Sequence, residues 1–438
     1  MAAREKDGLP LNTPLLVDEK QYEVKVYSEE EDSKGKASFF KTCFHTINSI
    51  TGSGIISIPF ALASGGWLSL TLLFVISIAS YYSGMLIQKC MEMNSNIKVY
   101  QDLGQHAFGY KGRVIVLIAM NYELYMVVTG YLILEGDNMN KILPNFQVDV
   151  AGLTISGTQL FILVTALIIL PILWLDNLVY LSYVSATGAL ASIIFLCALF
   201  WYGTFDGPGF NQKGTLIRWS GIPSAVSLFA FCYSTHPVFP NLYTTMRNKT
   251  QFSNVLLVSF SLCTFIYAAT AVLGYLMFGS KVASEITLNL ASNKVSTKVA
   301  IYIVLVSPIA KYPLTVTPVV DSIKSAFPPH YNKRITHVVV STFVLISTVV
   351  VAMEVPFFAY LMSLSGALCS VTCALIVPCV CYLKITDTFR KIRAETIINW
   401  GIIVLGVAIA IVGTYVSVVE IIQAYDDQVS SRFFLRFM

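Results

Sequence analysis

Thr51-Gly52-Ser53-Gly54-Ile55-Ile56-Ser57-Ile58-Pro59 sits inside an apolar run over about residues 38–63. A run of this length crosses a hydrocarbon core as a helix, yet glycine costs about 1 kcal/mol in a helix interior and proline more. Inside lipid, any backbone group released by such a break needs another partner, so a break is tolerated only beside protein or a polar cavity. A second interruption, Tyr233-Ser234-Thr235-His236-Pro237-Val238-Phe239-Pro240, lies in a later apolar run over about residues 220–246. These runs are the first and the sixth of the chain. Interrupted spans at matching positions in two halves are the mark of a secondary transporter built from inverted repeats, with its substrate held where the helices unwind.

Composition agrees with a membrane location. Of 438 residues, 55% are apolar and 12% charged, and the mean hydropathy is +0.68; soluble domains carry roughly a quarter charged residues. A window of about 20 residues gives eleven spans, at about 38–63, 68–90, 113–136, 156–175, 178–203, 220–246, 253–278, 297–323, 334–353, 356–383 and 396–424. The expected transporter domain is therefore 38–424, with repeats over about 38–203 and 220–383 and an additional helix at about 396–424. Residues 1–37, acid-rich from Glu29 to Asp32, read as a disordered cytosolic tail, and 425–438 as a C-terminal tail. The loops 136–152 and 279–295 are polar enough to reach water, whereas the fourth break, at Asp176 and Asn177, is very tight.

Several function classes are excluded. The net charge of +4 is small and its carriers are scattered, which does not suit nucleic acid. No phosphate-binding Gly-Lys-Ser/Thr loop supports ATP-driven transport, and His and Cys do not cluster at metal-ligand spacing, so neither metal nor cofactor is expected. The nine cysteines fall mostly within or at the ends of apolar spans and read as buried thiols. Paired carboxylates or a nucleophile with its base do not converge in the spans, so the chain is not an enzyme.

Lys and Arg set the orientation. With the N-terminal tail on the same side as the loops after even-numbered spans, 19 of them gather there and 8 opposite, leaving Lys41 and Lys311 within spans. The positive-inside rule puts the N-terminus in the cytosol and, with eleven spans, the C-terminus in the lumen or outside. The sequon Asn248-Lys249-Thr250 then falls in a cytosolic loop and should carry no sugar.

The chemistry of the breaks is complementary. Gly52 and Gly54 let a ligand approach the main chain, and the half-helix from Ile55 presents free amides and a positive dipole end, which suits a carboxylate. Thr51 and Ser53 add hydroxyls. The alternative for these small residues is a seam for close helix packing. In the sixth span, Pro237 and Pro240 remove donors, so the carbonyls of residues 230–233 are expected to lose helical partners and to suit an ammonium. Together the two sites describe the head of an α-amino acid. His236 abuts the break as a gating or proton-carrying group, or as a packing residue.

Gly52-x-Gly54-Ile55-x-x-x-Pro59-x-Ala61 with Gly65-Gly66-Trp67, and Thr235-His236-Pro237-x-x-Pro240-x-x-Tyr243-x-x-Met246, resemble the amino acid/auxin permease family over about residues 38–424. Within it the chain is most similar to the plant and fungal vacuolar amino acid transporters, a branch that also contains the vesicular inhibitory amino acid transporter. The resemblance implies an all-α polytopic fold of eleven transmembrane helices, a LeuT-like five-plus-five inverted repeat plus one helix. It also implies a substrate carboxylate on the backbone of Gly52 to Ile55, an amino group near Phe231, Cys232 and Tyr233, and coupling to protons. In related transporters the first and eighth helices line a sodium site, so the Lys311 ammonium, in the middle of the eighth span, would replace the metal's charge there and couple transport by releasing a proton as the carrier switches state. The alternatives are a structural ion pair, or a span register that puts Lys311 nearer an interface.

Glu123 in the third span is a further candidate, as a functional charge for proton coupling or gating or a substrate contact, or as a structural partner of another buried polar group. Tyr122 and Tyr125 cannot face the same way; Tyr122 is assigned to the substrate cavity. Glu354, Asp321 and Glu135 fall at span ends and are placed at the interface. The expected activity is proton-coupled antiport of neutral amino acids across the vacuolar membrane, with amino acid, protons and the lipid bilayer as partners. A plasma-membrane or exporting symporter of the same fold is the nearest rival, and a channel the rival of another class. Protein partners are unknown.

Overall fold

The computed structural model describes residues 37–144, 146, 148–150, 153–174, 188–325, 327–328, 332–389 and 393–437. The acidic stretch of the expected N-terminal tail and the tight break at Asp176 and Asn177 lie outside the described residues. The first span is two helices, α1 (Phe39–Ile50) and α2 (Gly54–Gly65), bent by 53°. α3 (Ser69–Met93) and α4 (Tyr100–Ile142) follow, then a hairpin of β1 (Val148–Val150) and β2 (Leu153–Ile155) pairing Val148 with Ile155. Next come α5 (Gly157–Trp174), α6 (Gly188–Trp201), the divided sixth span of α7 (Ile222–Cys232) and α8 (Phe239–Thr245), and α9 (Phe252–Phe278). α10 (Val295–Lys324), α11 (Lys333–Glu354), α12 (Phe358–Ile385) and α13 (Ala394–Phe437) complete the bundle.

Each of the eleven expected runs is mainly helical where it is described, the first interrupted at residues 51–53 and the sixth at 233–235. Among the described residues, eight helices are long and apolar enough to cross a membrane, and the bent α1–α2 pair makes nine. α6 and the halves of the sixth span are too short to qualify alone.

The structure corrects several boundaries. Pro59 was expected to extend the first break, but α2 runs through it to Gly65. With the helix beginning at Gly54, Pro59 forfeits a single amide bond, and its fixed φ is already helical. α4 is divided at Gly109, which takes φ +67, so a short helix from Tyr100 precedes the membrane helix, and the latter begins close to the expected residue 113. Only glycine adopts that conformation without strain. α4 also continues to Ile142, into the expected loop, and α13 continues to Phe437, past the expected span end. Ala37 is tied to the sixth loop: its N–H donates to Thr245 O at 3.1 Å and its carbonyl accepts from Arg247 N at 2.9 Å.

Candidate functional site

Both interruptions are real, and they lie against each other. α1 ends as Thr51 leaves helical geometry at ψ 67, with its N–H and hydroxyl both bound to Ile47 O at 2.7 Å. The amides of Gly54 and Ile55 then open α2, where no helical turn precedes them to supply acceptors. α7 ends at Cys232 and passes through a tight turn at His236–Val238 before α8 begins. Contact between the breaks is close. A Cβ on Gly54 would lie 2.5 Å from Cys232 Sγ and 3.3 Å from Cys232 Cα.

The carbonyls exposed by the breaks have specific partners. Lys311 Nζ, from the middle of α10, donates to Asn48 O and Thr51 O, each at 3.3 Å. A cation thus stands at the negative end of α1, where the last carbonyls lack amide donors. Tyr267 of α9 places its hydroxyl 2.5 Å from Ile50 O and 3.3 Å from Cys232 O, between the two breaks. The expectation that four carbonyls of the sixth span fall free is narrowed. Ala230 O accepts from Tyr233 N, Phe231 O from Ser234 N and Tyr233 O from Thr235 N, leaving only Cys232 O to a side chain. Pro237 and Pro240 sit at the starts of their helical turns, where a missing N–H removes nothing.

A small, partly open cavity of about 40 Å³ lies beside the first break. Thr51, Gly52, Ser53, Ile55 and Lys311 line it together with Tyr131, Ser192 and Phe195. A ligand pocket for a small molecule is on the order of 300 Å³ or more, so this cavity is too small to hold an amino acid as it stands. Phe231, Cys232 and Tyr233 are buried beside it but do not line this cavity. Tyr122 is 41% exposed and is not brought to the cavity; Tyr131, two turns on, takes that place. Tyr131 and Tyr267 are the residues that sequence reading missed. Each is a phenol within an apolar span, whose buried hydroxyl needs a partner, and that was the available signal.

Two other candidates grip the sixth span. Glu123 is 3% exposed and accepts from Ser234, at the break, and from Ser370 of α12 at 2.6 Å. His236 is fully buried, with Nε2 2.9 Å from Ser80 O and 2.9 Å from Ser83 Oγ. A carbonyl can only accept, so Nε2 carries the proton and the ring ties the break to α3. Among the described residues no group of three His, Cys, Asp or Glu side chains could hold a metal ion.

A helical bundle whose first and sixth spans unwind face to face, with a small cavity beside the first break, has the architecture of an all-α secondary transporter. Solved structures share this fold: the Eremococcus coleocola manganese transporter (TM-score 0.53, 12% identity, 87% of this chain and 86% of that one) and Mhp1 in an inward-facing conformation (TM-score 0.51, 14% identity, 91% and 92%). Residues 35–419 match the family described as "Transmembrane amino acid transporter protein", and the chain belongs to that family, the amino acid/auxin permeases. It is 52% identical over 394 residues to the Arabidopsis thaliana "Amino acid transporter AVT1I", covering 90% of this chain and 97% of the relative. The fold class read from the sequence is accordingly the LeuT-like one.

Proposed function

We propose that this amino acid transporter carries neutral amino acids into an acidic organelle, the vacuole, by proton antiport, with its N-terminus in the cytosol and its C-terminus in the lumen. The observation that carries the coupling is the Lys311 ammonium bound to the Asn48 and Thr51 carbonyls. This cation is supplied by the chain itself, and protonation is what makes it one. When α1 swings away during alternating access, Lys311 loses both acceptors, and an unpartnered ammonium in the membrane is costly. It then releases its proton, and the return stroke requires another.

The amides of Gly54 and Ile55 receive the substrate carboxylate, while Cys232 O receives its ammonium once Tyr267 withdraws. Glu123 and His236 hold the sixth span through Ser234, Ser80 and Ser83 until that movement occurs. Opening must enlarge the 40 Å³ cavity several-fold before an amino acid fits.

Uptake of a labelled neutral amino acid into proteoliposomes tests this reading. With an acidic interior, accumulation is expected to fall at least about tenfold when a protonophore collapses the gradient. Accumulation that survives collapse but follows a sodium gradient would refute proton coupling. Unsaturable flux without exchange of labelled for unlabelled substrate would point to a channel.

A further inference from the structure

Glu135 was expected at the membrane interface, but the structure places it 2% exposed at the end of α4. Nearby, Glu285 of the 279–295 loop is fully buried and close enough to feel the charges of both Asp137 and Glu135. Asn138 donates its Nδ2 to Glu285 Oε2 at 2.6 Å, and Lys141 Nζ donates to Leu288 O at 2.5 Å, so α4 and this loop are stitched together. Asp137 reaches Thr158 of α5.

Among the described residues, no cation answers these acids. None of the three carboxylates has a salt bridge among the described residues, and Lys141 is committed to a carbonyl. Three buried acceptors are also left without a donor: Glu135 Oε1, Glu285 Oε1 and the uncharged Asn138 Oδ1. A cluster with more acceptors than donors, and more negative charge than positive, is completed by protons on its own carboxyls.

We propose that Glu135, Asp137 and Glu285 form a proton-binding latch that holds the non-cytosolic end of α4 against the 279–295 loop, and that opens when it loses its protons. The assignment of this end to the lumen rests on the orientation proposed above. Protons in the lumen then keep that face closed until the carrier is driven open.

Burial, followed by the neighbouring Asp137 carboxylate, holds the Glu285 carboxyl well above the ordinary carboxylate range. The closed latch therefore binds a proton at pH values where an opened, solvated carboxyl has released it. Its extra stability is complete below the ordinary carboxylate range and disappears as pH rises through the raised value.

Hydrogen exchange of the loop amides in the full-length carrier, from about pH 5 to about pH 9 and corrected for intrinsic exchange rates, tests the latch. Backbone amides such as Leu288 N, which donates to Glu285 O at 3.0 Å, report on it. Protection is expected to fall about tenfold or more across this range in the wild type, and less than about threefold in E285Q. Should E285Q not fold, E135Q and D137N make the same comparison. Wild-type protection that does not change with pH, or pH dependence that persists in every folded variant, would overturn the latch. The measurement reads the loop whether or not the carrier transports, so its failure leaves the proposed antiport standing. Failure of antiport likewise leaves the latch to be judged by exchange alone.

Discussion

Replacing Lys311 by methionine is expected to reduce gradient-driven accumulation about 100-fold or more. The ammonium makes two charge-assisted hydrogen bonds to carbonyls at the end of α1, each contributing about 1.5–3 kcal/mol. Methionine preserves the stem's packing and removes the proton-binding group. Exchange of labelled for unlabelled amino acid with no gradient should fall much less, by about tenfold or below, because it does not require net proton movement. The separation of the two assays is the diagnostic result. Parallel collapse of both would mean that Lys311 is a structural brace, and equal persistence of both would mean that it does not couple protons.

Gly54→Ala is expected to have an effect of similar size for a different reason. The new methyl would meet Cys232 Sγ at 2.5 Å and, less yieldingly, Cys232 Cα at 3.3 Å, forcing α2 away from α7. Separating the breaks pulls the amides of Gly54 and Ile55 out of register with Cys232 O, and a 1 Å displacement at a site can cost about 100-fold. Removing the side-chain part of the clash in a Gly54→Ala/Cys232→Ala double variant should restore about tenfold of that loss. Gly52→Ala is the control for folding, since a Cβ there meets nothing within 4 Å. It should leave thermal stability unchanged and act only through the substrate. Transport by Gly54→Ala at wild-type rates would show that the two breaks do not work as one site.

The breaks were legible because glycine and proline stand out against an apolar background, and because lipid tolerates few released backbone groups. What could not be read was where those groups find partners. The carbonyls of the sixth span looked free from the positions of Pro237 and Pro240, yet a tightened turn satisfies all but that of Cys232. Tyr267, which answers it, lies on a different helix 35 residues away in sequence. Pro59 was misread for a related reason, since the cost of proline depends on where the helix begins. Glu135 was placed at the interface by its distance along the run. A helix that continues to Ile142 beneath a folded loop buries it instead.

Tyr122 shows the limit of helical periodicity. The pattern established that Tyr122 and Tyr125 face differently, but not which way α4 is rotated, and that depends on packing against α10 and α12. The structure turns Tyr122 outward and aims Tyr131 at the cavity. Lys311 was easier to single out, because a lone cation in the middle of a membrane helix has few ways to be stable. Its pairing with the broken end of α1 is the contact that joins the energetics of the fold to a mechanism.

A structure of the carrier solved with a neutral amino acid bound tests the central claim most directly. The account predicts the substrate carboxylate on the amides of Gly54 and Ile55, and its ammonium within hydrogen-bonding distance of Cys232 O, with Tyr267 displaced. Substrate bound elsewhere, or a first span that closes into one continuous, fully bonded helix around it, would contradict the account.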